Sequence, residues 1–249
     1  NSRAGTVKAR RRAKLSPQEG GRVIALPKRK GERVASGDIL LELDSSVQRA
    51  RLDLALLFSL RPCTAAGTFT KNAVKAPPVL LCQKHLAEGG PFHGIIANSG
   101  NANACTGAEG LADAQATAQR AAASLNLKPT SFFVCSTGRI GQPLPMPRLL
   151  KGLERAVTAK GRTPEHGNKG ASAILTSDTR AKTVTVSFTY DGKKHFVAGM
   201  AKGAGMIQPN MATMLAFLAT DFSVPRSFLQ KTLSEAVAGT FNCITVDGD

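Results

Sequence analysis

The sequence predicts a fold of the α/β or α+β class. Hydrophobic residues make up 42% of its 249 residues, which is enough apolar material for a sizeable core. Apolar residues alternate in some segments, as in strands, and recur every three or four positions in others, as in helices. Both patterns recur along the chain, which is typical of layered folds that combine sheets and helices.

Residues 1–50 differ in composition from the rest. They carry 12 basic and 5 acidic side chains, a concentrated share of the formal net charge of +16. Two short apolar runs at 23–26 and 39–43 flank a polar stretch with glycines, which predicts two short strands. The segment 20–44 resembles the half-repeat of biotinyl/lipoyl-like domains in membrane-fusion proteins. We therefore treat residues 1–50 as a separate, atypical basic segment.

From residue 52 onward the pattern changes. It predicts strands at 52–58, 64–70 and 92–97. A helix is expected after Thr106, because Thr106 and Glu109 have the spacing of a capping box. The apolar residues of this helix fall on one face: Leu111, Ala114, Ala118, Ala121 and Leu125.

The second half of the chain predicts further strands and helices. Strands are expected at 131–135, 183–190, 194–197 and 243–246, and helices at 147–159 and 225–238. Residues 161–170 are expected to form a polar loop because they contain several glycines. The alternation at 183–190 is typical of a strand with one buried face, and Asp191-Gly192 predicts a hairpin turn after it.

Composition narrows the function classes. The basic excess attracts acidic metabolites, nucleic acid and anionic lipid alike. The absence of Trp and the single Tyr disfavour binding of nucleic acid by base stacking. No apolar run is long enough for a transmembrane helix. The five cysteines form no C-x-x-C pair, which indicates a reducing compartment and no metal site. We expect a cytoplasmic protein, or a mitochondrial one in a eukaryote.

A Gly-rich segment at 199–205 leads to a candidate nucleophile. Lys202 supplies one cation in this segment, and Thr213 opens an apolar run eleven residues later. A Thr hydroxyl is a weak nucleophile. One way to activate it is to free its own α-amine as the base, which requires cleavage of the bond between Ala212 and Thr213. The alternative is that Thr213 is an ordinary strand residue.

The turn after the strand at 131–135 is a second candidate. It contains Thr137 followed by Gly138, so a hydroxyl and a backbone N–H are available to face a pocket. Such donors stabilise a developing oxyanion. An ordinary strand-to-loop turn is the alternative interpretation of the same residues.

Three motifs, in this order, closely resemble those of the ornithine acetyltransferase (bifunctional glutamate N-acetyltransferase) family: NSGNANACTG at 98–107, CSTG-x-IG at 135–141 and KG-x-GMI-x-PNMATML at 202–215. The later stretches TDFSVP and FNCITVDGD also fit. The resemblance runs from about residue 52 to residue 249. It implies the layered α/β sandwich of this self-processing type, incomplete in this chain. It also implies an α-chain-like region at 51–212 and the start of a β-chain-like region at 213–249.

The resemblance also implies roles for individual residues. The family's precursor cleaves itself before a threonine, which corresponds here to the bond between Ala212 and Thr213. Thr213 then becomes both the nucleophile and a substrate contact. The resemblance assigns the oxyanion pair to Thr137 and Gly138. It assigns two further substrate contacts to Thr179 and Lys202. Thr176 is a weaker alternative to Thr179.

The implied reaction belongs to arginine biosynthesis. An acetyl group moves from N-acetylornithine to glutamate through an acetyl-threonine intermediate. No cofactor is expected, and acetyl-CoA is an alternative donor that the sequence leaves open. The family's partners are the α and β chains of one precursor, assembled as a heterotetramer. We expect no nucleic-acid or membrane partner.

Two departures lead us to expect an incomplete enzyme. Only residues 213–249 follow the cleavage position, whereas the family's β chain is far longer. Residues 1–50 do not match the family's usual start. One alternative is an inactive fragment or chimera. A second is a non-enzymatic adaptor, which the lipoyl-like segment at 20–44 suggests. A third is a related self-processing aminopeptidase.

Overall fold

The chain forms two units, Asn1–Arg51 and Leu52–Asp249. The computed structural model describes residues 22–25, 42–44, 52–208 and 213–246. In the first unit, strand β1 (Arg22–Ala25) pairs antiparallel with β2 (Glu42–Asp44). Two short strands were expected in this segment and two are present. The rest of the predicted lipoyl-like half-repeat at 20–44 lies outside the described residues.

The second unit contains a three-stranded mixed sheet. Its strands are β3 (Leu54–Cys63), β4 (Phe92–Asn101) and β5 (Phe132–Arg139), in the order β3-β4-β5. Strand β3 runs antiparallel to β4, while β4 and β5 run parallel and in register over their whole paired length. Because parallel neighbours need a long crossover, helix α2 (Gly107–Leu125) connects β4 to β5.

Three helices cover one face of this sheet. They are α1 (Pro77–Glu88), α2 and α3 (Met146–Thr158). Small residues of α2 allow the helix to pack closely on the strands. The resulting core consists of buried residues from the helices and the strands: Leu81, Ala114, Ala118, Ala121, Ala122 and Leu153 with Ile96, Phe132 and Val134.

Helix α1 also closes the free edge of β5. The Cys82 thiol donates to the Val134 carbonyl at 3.1 Å, and His85 Nδ1 lies 2.7 Å from the Phe132 carbonyl oxygen. An edge strand otherwise presents unpaired backbone groups, and these two side chains bond to carbonyls of the edge strand β5. Helix α1 was not predicted from the sequence, although prolines at its start and Gly89 in a left-handed conformation at its end are typical boundary signals.

The second sheet is antiparallel throughout. It consists of β6 (Lys182–Tyr190), β7 (Lys193–Lys202) and β8 (Leu215–Thr220), in that order. The turn between β6 and β7 is the predicted one, and both Asp191 and Gly192 have the positive φ that a type I′ hairpin requires.

A second core joins the two sheets. Ala55 and Ala97 on the first sheet pack with Phe217 of β8 and with Ala173 and Ile174, which lie at the end of helix α4 (Pro164–Ala173). The unit is therefore layered, with helices, the mixed sheet, and then the antiparallel sheet with α4. This arrangement confirms the predicted α/β class. No helix among the described residues is long and apolar enough to cross a membrane.

Several predicted elements are confirmed. The helices expected after Thr106, at 147–159 and at 225–238 correspond to α2, α3 and α5 (Arg226–Ala238). The strands expected at 52–58, 92–97, 131–135 and 194–197 correspond to β3, β4, β5 and β7, each longer than predicted.

Other predictions about secondary structure were wrong. Residues 64–70 form no strand, because the backbone N–H and C=O of Gly67 bond to the Gln230 side chain instead of to a neighbouring strand. Residues 243–246 contain a single bridge from Val246 to Ile207 rather than a strand. Much of the segment 161–170 is helical rather than a loop, since α4 buries Ala171 and places Ala173 in the second core.

Two local interpretations also need correction. The Thr106 hydroxyl donates to Asn103 Oδ1 at 2.6 Å and makes no capping-box bond. Strand β6 alternates as predicted, but it has no buried face, since every one of its residues is exposed and Val184 is 60% exposed. It is an edge strand, and its Phe188 and Tyr190 rings contact the Phe222 ring beyond β8 but remain exposed.

Candidate active site

The structure brings Thr137 and Lys202 together, although 65 residues separate them in sequence. Thr137 lies near the end of β5, and Lys202 is the last residue of β7. The Lys202 ammonium donates a hydrogen bond of 3.0 Å to Thr137 Oγ1. Both side chains are buried, Lys202 with 6% and Thr137 with 9% of its surface exposed. Two sheets therefore contribute one polar contact at a buried position.

Gly138 follows Thr137 at a point where two strands approach closely. It lies opposite Gly100 in the parallel ladder and has a φ of +134°, a conformation that L side chains rarely adopt. A Cβ at this position would lie 2.3 Å from the Gly100 carbonyl carbon and 2.7 Å from the Asn101 nitrogen. Only glycine fits, so the backbone here is held in one unusual conformation beside Thr137.

A hydrogen-bond network holds the ends of β4 and β5. The Ser136 hydroxyl donates to Asn98 Oδ1 at 2.6 Å, and Asn98 Nδ2 donates to the Asn101 carbonyl at 2.9 Å. Asn98 is buried, so these bonds are partly shielded from solvent and fix the strand ends next to Thr137. Asn98 and Ser136 are not among the predicted site residues, although both lie inside the motifs that resemble those of the family.

Asp178 connects the loop that carries Thr179 to the end of β7. Its carboxylate accepts hydrogen bonds from the Gly203 N–H at 2.8 Å and the Thr176 N–H at 3.3 Å, and it pairs with Lys182 at 2.5 Å. Burial raises the pKa of Asp178, but the bonds from Lys182, Gly203 and Thr176 outweigh that effect and lower the pKa overall. Thr179 itself is exposed. Sequence reasoning missed Asp178, which lies directly between Thr179 and Ser177.

Thr213 lies close in sequence to the strand that pairs with β7. Leu215, the first residue of β8, is the partner of Lys202 in the sheet. Thr213 precedes Leu215 by two residues, and its N–H and hydroxyl donate to the Met206 carbonyl at 3.2 and 2.6 Å. Its side chain is exposed. The predicted cleavage partner Ala212 lies outside the described residues.

Cys135 is a further nucleophile-type side chain near Thr137. A hydrogen bond with Cys82, together with burial, raises the pKa of the Cys135 thiol well above its ordinary value. The thiol therefore stays protonated at neutral pH and is a poor nucleophile. No group of three or more His, Cys, Asp and Glu side chains that could hold a metal ion occurs among the residues that the structure describes.

A sequence profile of the ArgJ family matches residues 41–249. The chain belongs to the ArgJ family. The matched region begins within the N-terminal segment 1–50. Residues 41–50 of this segment are therefore covered by the ArgJ profile. The family assignment confirms the resemblance that the three sequence motifs indicate.

Individual members of the ArgJ family agree with this assignment. The chain is 47% identical to the arginine biosynthesis bifunctional protein ArgJ of Caldanaerobacter subterraneus over 205 residues, which are 82% of this chain and 50% of that protein. It is 48% identical to the ArgJ protein of Symbiobacterium thermophilum over 197 residues, 79% of this chain and 48% of that one. The chain thus spans about half the length of the curated relatives it matches.

Solved structures resemble the fold as well. The crystal structure of the arginine biosynthesis bifunctional protein ArgJ from Bacillus halodurans matches with a TM-score of 0.61 and 35% identity, covering 68% of this chain and 86% of that chain. The ornithine acetyltransferase of Mycobacterium tuberculosis, solved as a complex with ornithine, matches with a TM-score of 0.59 and 41% identity. That match covers 66% of this chain and 85% of the other.

Proposed function

We propose that this chain takes part in acetyl transfer from N-acetylornithine to glutamate. In this proposal the bond between Ala212 and Thr213 is cleaved, and Thr213 carries the acetyl group between the two half-reactions. Residues 51–212 then form the α-chain-like part and 213–249 the start of the β-chain-like part. The observation that carries the proposal is the buried contact between Lys202 and Thr137, because it places a cation and a hydroxyl donor together.

The names of the relatives support the same activity. Three of them are called arginine biosynthesis bifunctional proteins, and the Mycobacterium tuberculosis protein is an ornithine acetyltransferase that was solved with ornithine bound. A self-processing aminopeptidase, the alternative within this mechanistic class, finds no support in these names. We therefore infer that both substrates are amino acids, one of them N-acetylated.

The lengths of the relatives support cleavage. The Caldanaerobacter protein is about 410 residues long, since 205 matched residues are 50% of it. The Bacillus halodurans chain is about 200 residues long, since 68% of the 249 residues here match 86% of it. A separate chain about half as long as the full sequence of a relative is what cleavage near position 213 would produce.

In the proposed first half-reaction, the Thr213 hydroxyl attacks the carbonyl carbon of the N-acetyl group, and its proton passes to its own α-amine. A tetrahedral oxyanion forms, which Thr137 Oγ1–H and the Gly138 N–H stabilise. The C–N bond then breaks, and the ornithine amine leaves with the proton. In the second half-reaction the α-amine of glutamate attacks the carbonyl carbon of the acetyl ester. The ester C–O bond breaks, a proton passes from the attacking amine through the Thr213 α-amine to Thr213 Oγ1, and N-acetylglutamate leaves. Thr179 and Lys202 contact the substrates in both steps.

Intact-mass measurement under denaturing conditions tests the proposed cleavage. The 26.1 kDa chain would give pieces of about 22 and 4 kDa, from the share of residues on each side of the bond. Thr213→Ala should remain whole, whereas Thr213→Ser should still be cleaved because it keeps the hydroxyl. Thr220→Ala is a matched control in β8, and it should be cleaved like the wild type.

Incubation with N-acetylornithine tests the acetyl-threonine. The piece that begins at Thr213 should gain the mass of one acetyl group, about 42 Da, and lose it when glutamate is added. An acetyl group on any other residue, or a wild-type chain that stays whole under these conditions, would contradict the role proposed for Thr213.

A further inference from the structure

The contact between Lys202 and Thr137 fixes where the Thr137 hydroxyl hydrogen can point. A lysine ammonium has three N–H donors and no acceptor, whereas a threonine hydroxyl has one O–H donor and two acceptor lone pairs. In the 3.0 Å contact, the Thr137 oxygen must therefore accept. Its own hydrogen is directed away from the ammonium, toward some other acceptor.

We propose that Lys202 is a positioning residue that aims the Thr137 O–H at the developing oxyanion and strengthens it as a donor. This inference rests on the proposed function. An ammonium that donates to a hydroxyl oxygen polarises its O–H bond, so the hydroxyl becomes a better donor to a third group. Both partners are buried, and little competing water reaches the pair.

The surrounding structure holds this geometry from both sides. Lys202 pairs with Leu215 in one sheet, and Thr137 pairs with Ser99 in the other. The next residue after Lys202 donates its N–H to the buried carboxylate of Asp178. Preorganised donors cost no rearrangement when charge develops, which is the property an oxyanion site needs.

This role differs in its kinetic signature from contact with a substrate carboxylate. A carboxylate is present in both the ground state and the transition state, so a residue that binds it alters KM. An oxyanion forms only in the transition state, so a residue that acts through Thr137 alters kcat. Lys202 is expected to affect both parameters, and only the effect on kcat should depend on Thr137.

A double-mutant cycle tests the proposal. The four proteins are the wild type, Lys202→Met, Thr137→Val and the double variant. For each, kcat and KM are measured for N-acetylornithine and glutamate, with rates divided by the cleaved fraction from intact mass. Thr137→Val should lower kcat by about 100-fold or more, as expected for loss of one oxyanion donor. Lys202→Met should lower kcat at least tenfold when position 137 is Thr. The same substitution should lower kcat less than twofold in the Thr137→Val protein.

The KM values provide the internal control. The increase in KM that Lys202→Met causes should be similar with Thr or Val at position 137. A fall in kcat of the same size in both backgrounds would overturn the proposal, because Lys202 would then act independently of Thr137. A wild-type protein without transferase activity would overturn the proposed function itself, and that failure appears in the wild type rather than in the cycle.

A second substitution keeps the test informative if Lys202→Met does not fold. Lys202→Gln places a neutral amide at the site, and its carbonyl oxygen lets the Thr137 hydrogen turn back toward position 202. Its kcat should fall about as far as that of Lys202→Met. A Lys202→Gln enzyme with wild-type kcat and a cooperative melt would show that the ammonium charge is not needed, and would overturn the claim that Lys202 strengthens Thr137 as a donor.

Discussion

Replacement of Gly138 by alanine should destabilise the protein far more than the same change at Gly141. Both glycines have positive φ, +134° at Gly138 and +77° at Gly141. A methyl group at position 138 would meet the backbone of Gly100 at 2.3–2.4 Å, whereas nothing lies within 4 Å of the corresponding position at Gly141. The pair thus separates the cost of a backbone clash from the cost of the left-handed conformation.

The expected magnitudes follow from these two costs. An unfavourable backbone conformation costs about 1–2 kcal/mol, which is the whole expected effect of Gly141→Ala. Gly138→Ala adds a clash with backbone that cannot rotate away, and overpacking of this kind costs about 1–3 kcal/mol more. The total for Gly138→Ala is about 2–5 kcal/mol. In a domain of this size each kcal/mol lowers Tm by about 2–4 °C, so a loss of at least about 4 °C is expected.

Thermal and urea denaturation followed by circular dichroism measure the difference. The wild type and both variants are compared at the same concentration and pH. Equal losses of stability for Gly138→Ala and Gly141→Ala would refute the claim that β4 and β5 approach too closely at this point to admit a side chain.

Two further predictions concern the core and the buried carboxylate. Leu153→Ala removes a fully buried side chain and should cost about 2–5 kcal/mol in urea unfolding, whereas Leu218→Ala, at 51% exposure, should cost less than about 1 kcal/mol. Because the folded state lowers the pKa of Asp178, its stabilisation is present above the unfolded value of about 3.9 and is lost as pH falls through the lower folded value. The stability gap between the wild type and Asp178→Asn should therefore be constant above about pH 5 and shrink in acid. A stability gap that widens in acid would contradict this pH dependence. Lys182→Met keeps the backbone hydrogen bonds to Asp178, so its stability should differ less from that of the wild type at every pH.

Local periodicity predicted most elements because it reports which faces of a segment are apolar. The buried alanines of α2 and the alternation of β6 were both visible in the sequence. Periodicity does not report which neighbour covers an apolar face, and this is why β6 was expected to be half-buried although it is exposed. Helix α4 was missed because its glycines disfavour a helix locally, and its burial against the second core outweighs that cost.

The candidate site was predictable only residue by residue. The motifs singled out Thr137, Gly138, Lys202 and Thr213. Their spacing in the sequence does not predict how close β5 and β7 lie in the fold. The contact between Lys202 and Thr137 depends on how two sheets pack through Ala97, Phe217 and their neighbours. Asp178 was missed because a lone carboxylate between polar residues is typical of a solvated loop. The Asp178 carboxylate accepts a hydrogen bond from the Gly203 N–H, and this partner lies 25 residues later in the sequence.

The pairing of β7 with β8 has a consequence for a chain cut before Thr213. Lys202 pairs with Leu215 at one end of this ladder and Val197 with Thr220 at the other, so the two pieces would share one continuous sheet. The cut molecule would stay together in native buffer and separate only when unfolded. Once unfolded, the two polypeptides separate. They must then meet again by diffusion before the sheet can refold. Recovery after heating should then depend on protein concentration, whereas an uncut Thr213→Ala chain should recover at a rate independent of concentration.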